Sequence, residues 1–129
     1  MVLSGIEFLG GLDILINAAG CVFENDLEKT YPQDHDYIID INLRAVYHIT
    51  QLCMVFLAKT HGCIVNISGE WGSKPFQGCI SYCMSKAGLE MLTKCLALEL
   101  GKQGVRVNAV SPGATRSNFM GAAGLPPKD

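Results

Sequence analysis

Charge is scarce and unpolarised in this chain: Asp, Glu, Lys and Arg make up 17% of the 129 residues and sum to −2. No basic patch or charge block is present for a phosphate polymer or an anionic membrane to grip, so nucleic acid is not an expected partner. No run reaches the roughly 18–20 uninterrupted apolar residues of a membrane span, because Lys59, Lys94 and Glu99 interrupt or flank the longest candidates. The six cysteines include no C-x-x-C pair; the closest two are Cys79 and Cys83, and His35, His48 and His61 make no zinc spacing with them. No metal site is therefore expected. The thiols sit mostly inside apolar runs, where reduced cysteine packs as a small hydrophobe, and a reducing, cytosol-like compartment fits that usage. Repeats and low-complexity tracts are absent as well. What remains is a chain 49% hydrophobic and long enough for one packed domain, 1–129.

The hydrophobic residues fall into an ordered pattern. "LDILI", residues 12–16, is a short apolar run ended by "NAAG", which reads as a strand buried on both faces followed by a loop of small residues. In "TYPQ" Thr30 is placed to cap a helix beginning near Tyr31, with Pro32 in its first turn and Gln33 at the capping-box position. The apolar stripe of that helix reads Ile38, Ile41, Ala45, Ile49, Leu52 and Phe56, as far as a stop at Thr60-His61-Gly62. "CIVNIS", residues 63–68, is a second strand, and "GEWGSKPFQG" is a loop carrying Trp71 and Phe76. A second long helix covers residues 81–100, and "VRVNAVS", residues 105–111, is a third strand that "PG" breaks. Strand, helix, strand, helix, strand predicts an α/β fold, part of a doubly wound, Rossmann-like parallel sheet with two long helices on one face. The closing stretch, 121–129, is small and Pro-rich and is expected to be mobile unless a ligand or partner orders it.

Within the second helix stand Tyr82 and Lys86, four residues apart and so on one face, one turn from each other. An adjacent ammonium favours phenolate and draws a phenol from its ordinary pKa of about 10 towards the range where it exchanges protons with an alcohol or carbonyl. Y-x-x-x-K alone is weak, being more often a solvated helix face. Its company strengthens it, because each polar island falls at the carboxyl end of a strand, where open parallel sheets place their ligands. Asn42, a polar amide beside an apolar stripe, is either a satisfied core residue or part of the same site.

Taken together, "LDILINAAG", "INLRAVYHITQ", "GCIVNIS", "YCMSKAGLEMLTKCLALEL" and "VRVNAVSPGATRSN" resemble, in order and spacing, the motifs of the short-chain dehydrogenase/reductase family. Members of that family transfer hydride between NAD(H) or NADP(H) and an alcohol or carbonyl. The resemblance implies that Tyr82 is the proton donor in carbonyl reduction, and that Lys86 lowers its pKa and binds the nicotinamide ribose. It also implies that Asn42 holds a water linking Lys86 to solvent. Pro112, Gly113 and Ser117 would then contact the nicotinamide, and Asn17, Ala18 and Gly20 the adenosine side of the cofactor. Association through the two long helices into a homo-oligomer follows from the same likeness.

Two departures qualify these expectations. The family's catalytic serine stands thirteen residues before the tyrosine, which falls here on Gly69, and its neighbour Ser68 can substitute only if the strand end shifts by one residue. A missing oxyanion donor costs about a hundredfold or more in rate. The second departure is that "SGIEFLGG" lacks the glycine-rich G-x-x-x-G-x-G turn that seats a pyrophosphate at a helix N-terminus. The chain is thus expected to represent part of the family's fold, with an apolar sheet face and the "LDILI" edge left bare. An impaired, scaffolding descendant of the fold is the alternative to an enzyme.

Overall fold

The computed structural model of the chain describes residues 2–115, together with 117 and 119. The stretch expected to be mobile, 121–129, lies outside the described residues. Seven principal elements follow in order: α1 (Val2–Leu9), β1 (Ile14–Asn17), α2 (Pro32–Ile39), α3 (Ala45–Thr60), β2 (Cys63–Ile67), α4 (Ile80–Gly101) and β3 (Arg106–Val110). The strands form one parallel sheet in the order β1-β2-β3, with Leu15, Ile64 and Val107 on one rung and Asn17, Asn66 and Ala109 on a later one. The three-stranded parallel sheet with helical crossovers is the architecture read from the sequence.

Both crossovers lie on the same face of the sheet, as right-handed connections between strands added in one direction require. Ile64, Val107, Cys53, Leu57, Leu100 and Val105 fill the core between that face and the helices. Helix α1, which the sequence reading left unassigned, adds Ile6 to this core. The opposite face is open among the described residues. Ile14 and Ile16 are 58% and 61% exposed, so the expectation that "LDILI" is buried on both faces fails for β1, and the expectation of a bare sheet face holds.

Two local readings are corrected. Thr30 does not cap α2: the N-cap is Tyr31 without a side-chain bond, and the Thr30 hydroxyl turns back to the carbonyls of Asn25 and Asp26. Between α2 and α3 the helix widens into a π turn, Asp40–Arg44, in which the Ala45 N–H donates to Asp40 O. The turn accommodates an extra residue and moves the buried stripe one place along. Asn42, Val46, Thr50, Cys53 and Leu57 face inwards, while Leu52 of the expected stripe is 47% exposed. The continuous helical run Pro32–Thr60 is long and apolar enough to cross a membrane by length and composition. Its inward stripe carries Asn42 and Thr50 into the core of the α/β layer.

Candidate active site

The carboxyl ends of the three strands converge on the first turns of α4. A ladder of buried amides fixes them: Asn17 Nδ2 donates to Asn66 Oδ1 (2.8 Å), and Asn66 Nδ2 to Thr93 Oγ1 on α4 (2.9 Å). In the low dielectric of the interior such bonds hold two strands and a helix in one register. Asn17 is thereby turned inwards, leaving Ala18 and the backbone of the following loop on the surface. Asn66, wholly buried, is closed to glycosylation.

Tyr82 and Lys86 lie on the same side of α4, 7% and 4% exposed, with Lys86 Nζ 5.5 Å from the centre of the Tyr82 ring. The ammonium donates to Ile67 O at the end of β2 (2.8 Å). Burial pulls Lys86 down to about 8, with Cys21 opposing. The phenol does not show the lowered pKa that the spacing suggested: burial, then the neighbouring Cys79, Cys83 and Cys21, push Tyr82 up to about 12. The reason is geometric, since the cation is spent on the Ile67 carbonyl rather than on the phenolic oxygen, and desolvation governs both groups.

Asn42, on the π turn, is fully buried, and its amide clamps the loop after β1. The Cys21 N–H donates to Asn42 Oδ1 (2.8 Å), while Asn42 Nδ2 donates to Cys21 O (2.9 Å) and to Ser85 Oγ (3.0 Å). Ser85 in turn donates to Tyr82 O (2.8 Å), so Asn42 and Tyr82 are joined through a residue the sequence reading missed. Its place between Tyr82 and Lys86, on the inward side of the helix, was the available signal. At Gly20 a Cβ would lie 3.3 Å from Asn42 Oδ1 and 3.6 Å from Lys86 Nζ, so the loop approaches the pair as closely as a glycine allows.

Ser68 and Gly69 separate clearly. The Ser68 hydroxyl is buried, 3.3 Å from Lys86 O and 3.2 Å from Glu90 Oε1, to both of which it is directed as a donor. A Cβ on Gly69 would stand 3.0 Å from Tyr82 Oη. Position 69 therefore faces the phenol, and the hydroxyl of Ser68 belongs to a clamp that Glu90 extends to Ser111 Oγ (3.0 Å) beyond β3. Pro112 O accepts from Glu70 N (3.1 Å), which brings the loops after β2 and β3 together, and Gly113 lies beside the Glu70 carboxylate. Ser117 is exposed, its Oγ accepting from the Phe119 N–H (3.3 Å).

A wall of aromatic rings surrounds Tyr82 and was not read as such in the sequence. Trp71 and Phe76 stack with centroids 3.9 Å apart, Trp71 meets Tyr82 edge to face at 5.8 Å, and Phe119 lies tilted against Tyr82 at 6.1 Å. Among the described residues no group of three or more His, Cys, Asp or Glu side chains is placed to hold a metal ion.

A profile of the short chain dehydrogenase family matches residues 2–125. The chain belongs to that family. Its relatives include a 3-oxoacyl-(acyl-carrier-protein) reductase of Thermotoga maritima, 37% identical over 84% of this chain and 44% of that protein. The 4-formylbenzenesulfonate dehydrogenase of Comamonas testosteroni is 38% identical over 95% of this chain and 51% of its own length. A Caenorhabditis elegans short-chain dehydrogenase/reductase of unknown function, crystallised with cofactor, superposes with a TM-score of 0.88 at 30% identity, covering 97% of this chain and 48% of that one. This short-chain dehydrogenase chain thus spans about half the length of the relatives it matches.

Proposed function

We propose that the chain carries the proton-transfer half of an oxidoreductase site, in which hydride passes between NAD or NADP and an alcohol or carbonyl. The observation that carries this reading is the placement of Tyr82 and Lys86 on one buried face of α4, against the loop of Gly20 and the ends of two strands. Lys86, with the loop of Pro112, Gly113 and Ser117 on the same sheet end, would hold the nicotinamide half of such a cofactor, and the exposed Ala18 and half-buried Gly20 would lie against its adenosine side. When bound, the dinucleotide supplies or accepts the hydride.

In carbonyl reduction Tyr82 Oη gives its proton to the substrate oxygen, and the Lys86 ammonium, now bonded to Ile67 O, would have to turn towards the phenolic oxygen to stabilise the phenolate left behind. Asn42 keeps the Cys21 loop seated beside that ammonium and serves the water through which Lys86 reaches solvent. Association through the outer faces of α3 and α4 is part of the proposal. Ile80, Met84, Met91 and Leu98 make one exposed stripe on α4, and Leu52 and Val55 stand exposed on α3.

The relatives' names cover both a 3-oxoacyl-(acyl-carrier-protein) and 4-formylbenzenesulfonate, so the likeness itself leaves the substrate class broad. A second reading, an impaired scaffolding subunit, draws on the hydrogen at position 69 where a positioned hydroxyl would face the phenol. Steady-state hydride transfer decides between them. Turnover that Tyr82→Phe abolishes is the expected result for the enzyme; equal rates in both forms, or none in either, would leave the scaffold.

A further inference from the structure

We propose that Glu90 is a positioning residue, whose carboxylate sets where the loop after β3 stands relative to Lys86. Its bearing on the nicotinamide rests on the reading of Lys86 and that loop as cofactor ligands. Lys86 and Glu90 are four residues apart on α4 and grip neighbouring positions at the end of β2. Lys86 Nζ donates to Ile67 O (2.8 Å), and Glu90 Oε1 accepts from Ser68 Oγ (3.2 Å). The same carboxylate oxygen accepts from Ser111 Oγ (3.0 Å), the residue immediately before Pro112 and Gly113. One oxygen therefore ties the ends of two strands to the helix that carries Tyr82.

The surroundings leave that carboxylate little freedom. A Cβ on Gly72 would lie 2.9 Å from Glu90 Oε1 and 3.1 Å from Lys86 O, so the turn after β2 packs closely against it. The strand ends also meet each other directly, Ser68 N–H donating to Val110 O (2.8 Å) and Glu70 N–H to Pro112 O (3.1 Å). These two backbone bonds flank the Ser68–Glu90–Ser111 link, and their opening reports its hold. A hydrogen bond to an ionised group is stronger than one between neutral partners, which suits a carboxylate to a tie that is only half-buried.

The test is amide hydrogen exchange of the 129-residue chain, joined to calorimetric titration with nicotinamide mononucleotide. Glu90→Ala is expected to speed exchange at Ser68 N–H and Glu70 N–H by about tenfold, the worth of a bond or two to a charged group. Cys63 N–H and Arg106 N–H, at the opposite ends of β2 and β3, should keep their rates. The mononucleotide should bind about three- to tenfold more weakly. Ser111→Ala, a change to an exposed side chain, should reproduce part of both effects and add nothing to Glu90→Ala, as expected of two residues that share one bond. Glu90→Gln keeps an acceptor and should recover much of the loss. Exchange unchanged at the two amides, exchange quickened equally at both ends of the strands, a Glu90→Gln variant as loose as Glu90→Ala, or mononucleotide affinity that Glu90→Ala leaves unaltered would overturn the proposal. Local quickening in a chain that binds no mononucleotide in any form would support the tie and sink the cofactor reading instead.

Discussion

One step along a strand separates two residues with opposite prospects. Ser68 keeps its hydroxyl in a clamp with Glu90, while Gly69 has no side chain where one would touch Tyr82 Oη. Gly69→Ser is therefore expected to raise the rate of hydride transfer by about a hundredfold, the usual worth of a positioned oxyanion donor. Gly69→Ala, which crowds the phenol without supplying a hydroxyl, should lower it; single-turnover rates of the two variants check the pair. Lys86 makes a separate claim on stability. With its pKa at about 8 in the fold and 10.5 when exposed, the native chain binds fewer protons than the unfolded one between those values. Stability should then rise with pH across that window. Tyr82, raised to about 12 from 10.0, has the opposite sign: the stability it contributes is present below pH 10 and declines above it. Lys86→Met is expected to remove the rise and to stabilise the chain at neutral pH by about 1–3 kcal/mol, read from urea midpoints measured at several pH values. The tyrosine and lysine were legible in the sequence because helical period alone puts them on one face. The direction of the Tyr82 shift was not, because it depends on which acceptor the ammonium finds, and that acceptor is a backbone carbonyl at the end of β2.

At the scale of elements, the crossovers and strands were readable because apolar period and turn residues agree with the fold, while the π turn left no pattern that a period of 3.6 could detect. Its effect is to bring Asn42, rather than Ile41, to the buried face. A polar residue there looks like an interruption of the stripe until the Cys21 backbone is seen to need both a donor and an acceptor from it. Thr50 two turns later is the uncompensated counterpart, a buried hydroxyl with no partner among the described residues. Asn42→Ala removes three hydrogen bonds and strands the Cys21 N–H and C=O, a loss of about 2–4 kcal/mol in unfolding free energy. It should also free the Gly20 loop, so weakened dinucleotide binding in calorimetry ought to accompany the lower Tm. Asn42→Asp keeps the acceptor for Cys21 N–H and loses both donors, and an intermediate cost would confirm that the clamp works through each of its bonds.

Over the whole molecule two apolar surfaces remain, and they lead to different kinds of association. The stripe of Met84, Met91 and Leu98 on α4 belongs to a helix face that a second copy can match with the same residues, giving a closed, two-fold pairing. The open sheet face offers Ile14, Ile16 and Val110, more than half exposed, beside a β1 edge with no strand paired to it among the described residues. An edge strand pairs with any extended partner and does not close on itself, so this surface favours open-ended aggregation. Charge placed on each should separate the two. Ile16→Lys puts an ammonium on the bare face and is expected to suppress concentration-dependent light scattering while leaving a discrete oligomer in sedimentation. Met91→Glu is expected to dissolve that oligomer and leave the scattering unchanged. A chain that sediments as a monomer at micromolar concentration, melts cooperatively and scatters no more than Ile16→Lys would show that neither face is adhesive, and would remove the physical basis for pairing through α3 and α4.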